Sequence, residues 1–393
     1  MRTTQRRIGI IGPYSHLGTV PSFLGSVESM SDHGYGVDIF ACQDAAFLPL
    51  AFPGKDVRVF ILQTPYRQGE TGWRWHYLTR WLPDLVVKCR HEQYGCLIGI
   101  DPWGLLLASL AGQLARITVV YFSLEIMVWH ALRSPYHRAL KWLERQANRL
   151  AVFTIIQDWD RAALLMRENH IPKHLIEILP NAPRGEAKVE RSDYLRHALG
   201  IAAGRPIALY FGGSVHPAAK SLELAQNALE WDSDIALVFH TRYHLTGDYA
   251  AACRKQIDGR HTYLSDEPIA NEQLRNLVAS ADIGIAFYPT TVSNPDGGEN
   301  AYTIGRSSGK IAYYLQCGVP IITSPLPSVR AYIDKYNCGI FVEQVKEVES
   351  AITTLLQGYA YYSANALVCF RELFDFDLHF APILKRLEAT IES

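Results

Sequence analysis

Gly305-Arg306-Ser307-Ser308-Gly309-Lys310 runs without a break into Ile311-Ala312-Tyr313-Tyr314-Leu315-Gln316-Cys317-Gly318-Val319-Pro320-Ile321-Ile322. The first six residues read as a small, flexible, cationic loop. A short helix follows, stopped by Gly318-Val319-Pro320, and then a buried strand. A helix N-terminus carries unsatisfied backbone N–H groups and partial positive charge, so it attracts anions. Ser307 and Ser308 supply hydroxyl donors, Gly309 lets a ligand approach the backbone, and Lys310 adds a full charge. The ligand suited to this corner is a phosphate or diphosphate.

On both sides of this stretch, short apolar runs alternate with helical patterns. In the second half, strands are predicted at 206–211, 235–240, 261–264, 283–287, 320–323 and 339–342, with helices at 222–229 and 271–280. The first half shows the same alternation. Its strands are predicted at 8–11, 37–40, 57–62, 96–100, 118–122, 153–156 and 176–181, and its helices at 20–31, 105–114 and 135–150. Alternation of this kind means parallel, doubly wound α/β sheets. Residues 182–204 are polar and punctuated by Gly and Pro, and read as a connector with one short helix. Two such arrays joined by a linker put a cleft between them, and open α/β sheets bind ligands beyond their strand carboxyl ends. Gly212-Gly213-Ser214 and the 305–310 loop both lie at such ends and are expected to converge on one site.

A chain of 393 residues, 48% hydrophobic and 20% charged, has ample apolar material for two cores. The formal net charge of −1 excludes a polyanion binder, so no nucleic acid partner is expected. The 7 cysteines form no metal-ligand spacing and read as buried free thiols of a reducing compartment. The apolar run after the basic N-terminus stops at Gly12-Pro13, too short for a secretory signal, and no window approaches ~18 uninterrupted apolar residues. A cytoplasmic protein is expected, with surface attachment to a membrane left open.

The competing motifs are weaker. The 305–310 loop encloses three residues rather than four between its glycines, and Ile311 follows the lysine where a P-loop needs Ser or Thr. Gly12 to Gly18 lacks the dinucleotide-binding glycine pattern. The three D-x-D pairs, at Asp158, Asp232 and Asp375, read as helix caps or helical residues rather than metal ligands, so no metal site is expected. Trp73, Tyr77 and Trp81 share a helical face with Arg74 and Arg80 nearby, which suits either a membrane–water interface or an ordinary core stripe. The basic helix at 135–150, with Arg138, Lys141, Arg145 and Arg149, carries the same ambiguity. His16, Asp101, Glu125 and His130 lie near strand ends in the first array, where each serves as a capping group or faces the cleft.

The second array resembles the nucleotide-sugar-binding domain of GT-B-fold glycosyltransferases, in particular glycosyltransferase family 4 (glycosyl transferases group 1). The resemblance rests on Ala281-Asp282-Ile283-Gly284-Ile285-Ala286, on Ser307-Ser308-Gly309-Lys310, and on Tyr314 to Ile322. It also rests on Tyr210-Phe211-Gly212-Gly213-Ser214 followed by Lys220. Leu179-Pro180-Asn181-Ala182-Pro183 matches the segment before the linker, and Asp101-Pro102-Trp103-Gly104 resembles an acceptor-domain loop. The likeness implies the α/β GT-B fold: two Rossmann-like, doubly wound parallel-sheet domains facing a central cleft. Their expected extents are an acceptor-side domain at 1–182, a linker at 183–204, a nucleotide-sugar-binding domain at 205–375, and a C-terminal helix at 376–393 packing back on the first domain.

The implied activity is transfer of a sugar from a nucleotide-diphosphate-sugar donor to a glycan or lipid-linked acceptor, with retention at the anomeric carbon and no metal. The nucleotide sugar is a substrate, and no cofactor is expected. Lys220 and Lys310 are the candidate catalytic residues. Gly213, Ser214, Ser307, Ser308, Gly309 and Lys310 are candidates for the diphosphate, Tyr313 and Glu299 for the nucleotide ribose, and His16 and Asp101 for the acceptor side. The family usually carries two glutamates in this region, where Gly305 and Tyr313 stand here. Their loss motivates one alternative, a non-catalytic nucleotide-sugar or partner-binding protein; a sugar-nucleotide epimerase of the same fold, which would need carboxylates in the cleft, is the other. Peripheral attachment at the inner face of a membrane is the localisation that accompanies a lipid-linked acceptor.

Overall fold

The computed structural model describes residues 7–63, 76–213, 215–290 and 298–392. Ser214 and the 73–75 part of the aromatic segment, Trp73 included, lie outside the described residues. The chain forms two compact units: residues 1–44, 49–180 and 376–393, and residues 45–48 with 181–375.

In the first unit, seven strands form one sheet: β1 (Arg7–Gly12), β2 (Gly36–Ala41), β3 (Val57–Ile61), β4 (Cys96–Ile100), β5 (Val119–Phe122), β6 (Thr154–Ile156) and β7 (Ile176–Ile178). Their order is β3-β2-β1-β4-β5-β6-β7, all parallel. Both faces of the sheet are covered. Ile8, Ile10, Val37 and Ile39 join one apolar cluster, whereas Ile11, Phe40, Leu97 and Tyr121 join another. This two-sided burial is why the strands read as nearly continuous apolar runs. The final helix, Phe376–Glu392, seals the first of these clusters with Phe376, Phe380, Ile383 and Leu387, and Arg386 pairs with Glu177 at 2.7 Å.

Asp38, fully buried in β2, ties three strands together through Arg7 of β1 and Arg58 of β3, with Tyr94 donating a hydrogen bond at 2.6 Å. Burial would raise its carboxyl pKa, but the hydrogen bonds from Arg58, Tyr94 and Arg7 outweigh burial and hold it below the ordinary value.

In the second unit, six parallel strands follow the order β10-β9-β8-β11-β12-β13. They are β8 (Ile207–Gly212), β9 (Ala236–Thr241), β10 (Thr262–Ser265), β11 (Ile283–Ala286), β12 (Ile321–Thr323) and β13 (Gly339–Phe341). The strand order reverses between β8 and β11. The connector is not loose: the Gln316 side chain donates to the Gly185 carbonyl at 3.0 Å, and Arg275 pairs with Glu190 at 2.7 Å.

Three local expectations change. Asp101-Pro102-Trp103-Gly104 is not a loop but the first turn of a helix, Asp101–Ala115, because proline is well tolerated at a helix start. Tyr77 and Trp81 are core residues, 0% and 2% exposed, their rings tilted against each other and Tyr77 against Trp103 as well, so they offer no surface to a membrane. Lys141 is likewise removed from the basic face of the helix Pro135–Leu150: it is fully buried against Glu144 and Asn169. All seven cysteines are buried free thiols. Among the described residues no helix is long and apolar enough to cross a membrane.

The helix Asp101–Ala115 sits unusually close to the sheet. A Cβ at Gly104 would lie 2.2 Å from the Ile11 carbonyl oxygen, and one at Gly99 2.5 Å from the Leu105 Cα. Backbone cannot yield as a side-chain tip can, so Gly104→Ala is expected to destabilise the protein by more than about 2 kcal/mol, toward the upper end of overpacking costs. Urea denaturation of the variant beside its parent measures this.

Candidate active site

The reversal of strand order between β8 and β11 leaves a crevice at their carboxyl ends, the place where open α/β sheets bind ligands. The helix Gly309–Gln316 is pressed onto the sheet there. Its Tyr314 lies over Gly284, where a Cβ would come within 2.5 Å of the ring. The Tyr314 hydroxyl donates to the Leu209 carbonyl at 2.6 Å and accepts from the Phe211 N–H at 3.3 Å. One phenol thus locks the helix to β8 at the crossover and sets where the helix begins.

Lys310 occupies that beginning. Its ammonium sits 4.5 Å from the centroid of the Tyr210 ring and 5.5 Å from that of Tyr288, just past β11. Its Cε packs 3.6 Å from where a Cβ of Gly212 would stand. Gly212 adopts φ +87°, in the left-handed region that glycine tolerates, and turns the chain away at the end of β8. Two aromatic faces attract a cation, yet among the described residues no carboxylate pairs with Lys310. Desolvation therefore lowers its pKa from 10.5 to about 7. A half-buried cation facing no carboxylate is a candidate site for an anionic ligand.

The hydroxyl groups assigned to the phosphate on sequence grounds are engaged elsewhere. Ser308 is the N-cap of the helix: its oxygen accepts from the Ile311 N–H at 3.1 Å and shares a hydrogen bond with the Tyr288 hydroxyl. Ser307 donates to the Ile304 carbonyl at 2.7 Å. Asn181 holds the loop from behind, donating to the Arg306 carbonyl at 2.8 Å and to the Ser307 carbonyl at 3.0 Å. Arg306 reaches toward the Leu373 carbonyl, not into the crevice. What the corner offers a ligand is the Lys310 ammonium and the first backbone N–H groups of the helix, those of Gly309 and Lys310. Neither has a backbone acceptor among the described residues.

Gly213 lies exposed on the neighbouring strand end. Lys220, also exposed, begins the helix Ser221–Ala228 in a left-handed conformation, and its ammonium stands 3.5 Å from the Glu343 carbonyl beyond β13. It lies on the same carboxyl edge of the sheet as Lys310. Tyr313 is 7% exposed and packs edge-on against Phe211. Glu299 is half-buried in the short helix Gly298–Tyr302.

In the first unit, Asp101 stands at the carboxyl end of β4 with φ +53°, a strained setting for a residue with a Cβ. Its carboxylate accepts from the N–H groups of Leu124 and Glu125, at 2.7 and 2.9 Å. Burial, reinforced by the Glu125 charge, pushes its pKa up to about 8 against those two hydrogen bonds. Arg161 braces the same loop through the Leu124 carbonyl at 2.7 Å. His16 follows β1, half-buried, its ring 5.6 Å from Tyr14, and burial lowers its pKa.

Two residues of the Lys310 pocket, Tyr210 and Tyr288, were missed by sequence reasoning. Both aromatic strand ends are visible in the sequence, but nothing local says that β8 and β11 are neighbours.

The Lys310 environment has a measurable consequence. Between pH about 7 and 10.5 the unfolded chain keeps this proton and the native state releases it, so the native state gains stability as pH rises through that window. Below pH about 7 both states are charged and the desolvation cost is paid in full. Lys310→Met is therefore expected to be more stable than its parent at pH 6 by at least about 1.4 kcal/mol, the equivalent of one pKa unit. The gap should close toward pH 10.5, as read by urea denaturation across pH.

Residues 18–182 match the glycosyl transferase 4-like domain, and residues 230–370 match the glucosyltransferase 3-like C-terminal domain. No curated protein is matched by sequence. Among solved structures, the chain is similar to sucrose-phosphate synthase from Thermosynechococcus elongatus, with a TM-score of 0.68 at 15% identity, covering 98% of this chain and 99% of that one. It is also similar to Anabaena Alr3699/HepE in complex with UDP-glucose, with a TM-score of 0.70 at 15% identity over 98% and 99% of the two chains. WaaG, a glycosyltransferase involved in lipopolysaccharide biosynthesis, has a TM-score of 0.64 at 13% identity over 98% and 99%. The structural likenesses show the fold, and the two domain matches, one in each half of the chain, carry the assignment: this protein is a GT-B-fold glycosyltransferase with a family 4-like domain, an enzyme that transfers a sugar from a nucleotide-diphosphate-sugar donor.

Proposed function

We propose that the protein retains the configuration of the transferred sugar, works without a metal ion, and acts on a glycan or lipid-linked acceptor. The observation that carries this reading is Lys310, a desolvated ammonium at the strand crossover with no anion of its own. As the bond between the anomeric carbon and the diphosphate breaks, its electron pair passes to the leaving oxygen. Two unit charges 4 Å apart attract by about 4 kcal/mol at an effective dielectric near 20. A partly desolvated cation is therefore placed to stabilise that charge as it forms. The N–H groups of Gly309 and Lys310 and the exposed Gly213 complete the cradle, with Lys220 on the same edge.

In this scheme the acceptor oxygen bonds to the anomeric carbon on the face the diphosphate leaves, and the acceptor proton moves to a leaving phosphate oxygen. No separate protein base is required. Ser307 and Ser308 serve by shaping the loop, and Ser214 is assigned to the diphosphate on sequence grounds. Glu299 and Tyr313 serve the nucleotide ribose. Asp101 and His16, at strand ends of the first unit, serve the acceptor. A lipid-linked acceptor accords with peripheral attachment at the inner face of a membrane and cytoplasmic residence.

A second reading, donor binding without turnover, is favoured by one feature: neither Gly305 nor Tyr313, the positions of the family's paired glutamates, carries a carboxylate, and both are buried. Incubation with a panel of nucleotide sugars, followed by assay of released nucleoside diphosphate, separates the two. Release is expected, and Lys310→Ala should lower kcat/KM by roughly 10- to 150-fold, the worth of one charge-assisted hydrogen bond. NMR of the product should show the donor's anomeric configuration. Binding across the panel with no release would establish the second reading, and an altered sugar without free nucleotide would point to an epimerase.

The charge argument also predicts proton uptake. At pH 8 the unliganded lysine is largely neutral, and a bound diphosphate favours its charged form. Calorimetric titration with a nucleoside diphosphate in buffers of different ionisation enthalpy should show uptake approaching one proton, absent in Lys310→Met.

A further inference from the structure

Several lysines of this chain are paired with carboxylates. The ammonium of Lys88 lies 3.2 Å from Glu92, that of Lys141 3.0 Å from Glu144, that of Lys188 3.0 Å from Glu190 and that of Lys335 3.5 Å from Glu372. Lys310 departs from this pattern. The groups facing it are the rings of Tyr210, from β8, and Tyr288, from the segment after β11, with Gly212 beside its Cε. Burial raises the pKa of both phenols, that of Tyr288 to about 12, so neither offers a negative charge. Among the described residues no carboxylate holds the Lys310 proton in place.

An amine in this setting is a nucleophile. Only the neutral form carries the free electron pair, and a desolvated lysine gives up its proton more readily than one in water. At pH 8 most of the Lys310 amine is neutral. An ordinary lysine, with a pKa of about 10.4, keeps less than about 1% in that form. The Lys310 side chain is half-buried rather than sealed, so a small reagent can reach it. Beside it the N–H groups of Gly309 and Lys310 have no backbone acceptor among the described residues. A small electrophile that carries a phosphate would meet a nucleophile and hydrogen-bond donors for its phosphate in one place.

We propose that Lys310 is a site of covalent acylation by acyl phosphates. The amine nitrogen bonds to the acyl carbon, the bond from that carbon to the phosphate oxygen breaks, and its electron pair leaves with inorganic phosphate. The nitrogen gives up one proton to solvent, and the product is a neutral amide. No oxidant and no further reactant are needed. Acylation removes the charge of the side chain, so the modified protein has lost the cation assigned to the donor diphosphate and is switched off. The choice of a phosphate-bearing reagent and this inhibitory consequence rest on the diphosphate reading of the corner. The nucleophilicity of the amine does not: it follows from the aromatic walls and the missing carboxylate.

The test is incubation of the full chain with acetyl phosphate at pH 8, followed by mass spectrometry of its peptides. Lys310 should acetylate roughly tenfold faster than the exposed Lys55 and Lys255, because its larger neutral fraction outweighs the lower basicity of the amine. In Lys310→Met the other lysines should keep their slow rates. Donor turnover of the parent should fall in proportion to Lys310 occupancy. The preference for Lys310 should be larger than with N-hydroxysuccinimidyl acetate, which carries no phosphate; an equal preference would overturn the choice of acyl phosphate. Acetylation of Lys310 no faster than that of Lys55 and Lys255, in a chain that binds one of the uridine, guanosine or adenosine diphosphates, would overturn the proposal and leave the donor reading standing. Fast acetylation of Lys310 that none of these diphosphates slows would support the proposal and count against the donor reading.

Discussion

The contact on which the second unit depends is the seating of Tyr314 over Gly284. A ring can lie flat on a strand only where that strand has no side chain, and Gly284 supplies the gap. The phenol then satisfies backbone groups of β8 across the crossover. Helix, β8 and β11 are held as one piece, and the helix start is fixed to within the tolerance of those bonds. Lys310, four residues earlier and one turn up, is thereby delivered between Tyr210 and Tyr288.

Three ionic groups, Asp38 and Lys141 fully buried and Lys310 half-buried, show what a partner does. Asp38 has two arginines and a tyrosine, and Lys141 has Glu144 and Asn169. Both are internally balanced and tie elements together. Lys310 has aromatic rings alone. Cation–ring attraction is worth about 2 kcal/mol when desolvated, less than the penalty of several kcal/mol for an ion removed from water. The imbalance persists because the fold around Tyr314 imposes it, and a diphosphate would remove it. In the first unit Asp101 presents a related case, a carboxyl group strained at the backbone and raised by burial, but with two N–H donors that hold it to the loop after β5.

The departures from the family pattern are structurally coherent. Tyr313 stands where a carboxylate is usual and is folded into the core against Phe211. The ring contributes packing at a position where a carboxylate would not.

The positions of all thirteen strands among the described residues were legible in the sequence, as was the restart of the pattern after the connector, because hydrophobic periodicity is a local property. So was the start of a helix at the 305–310 loop, which depends only on local sequence. The sequence could not reveal that Ser307 and Ser308 spend their hydroxyls on the loop itself, or that Tyr77 and Trp81 face inward. Each is decided by which surface a neighbouring element covers. It could not place Tyr210 and Tyr288 around Lys310 either, because strand order is a non-local pairing. Local chemistry determined a helix start with a glycine and a lysine; the crossing of β8 and β11 decided that this lysine would stand between two aromatic rings with no carboxylate among the described residues beside it, because strand order is a non-local pairing.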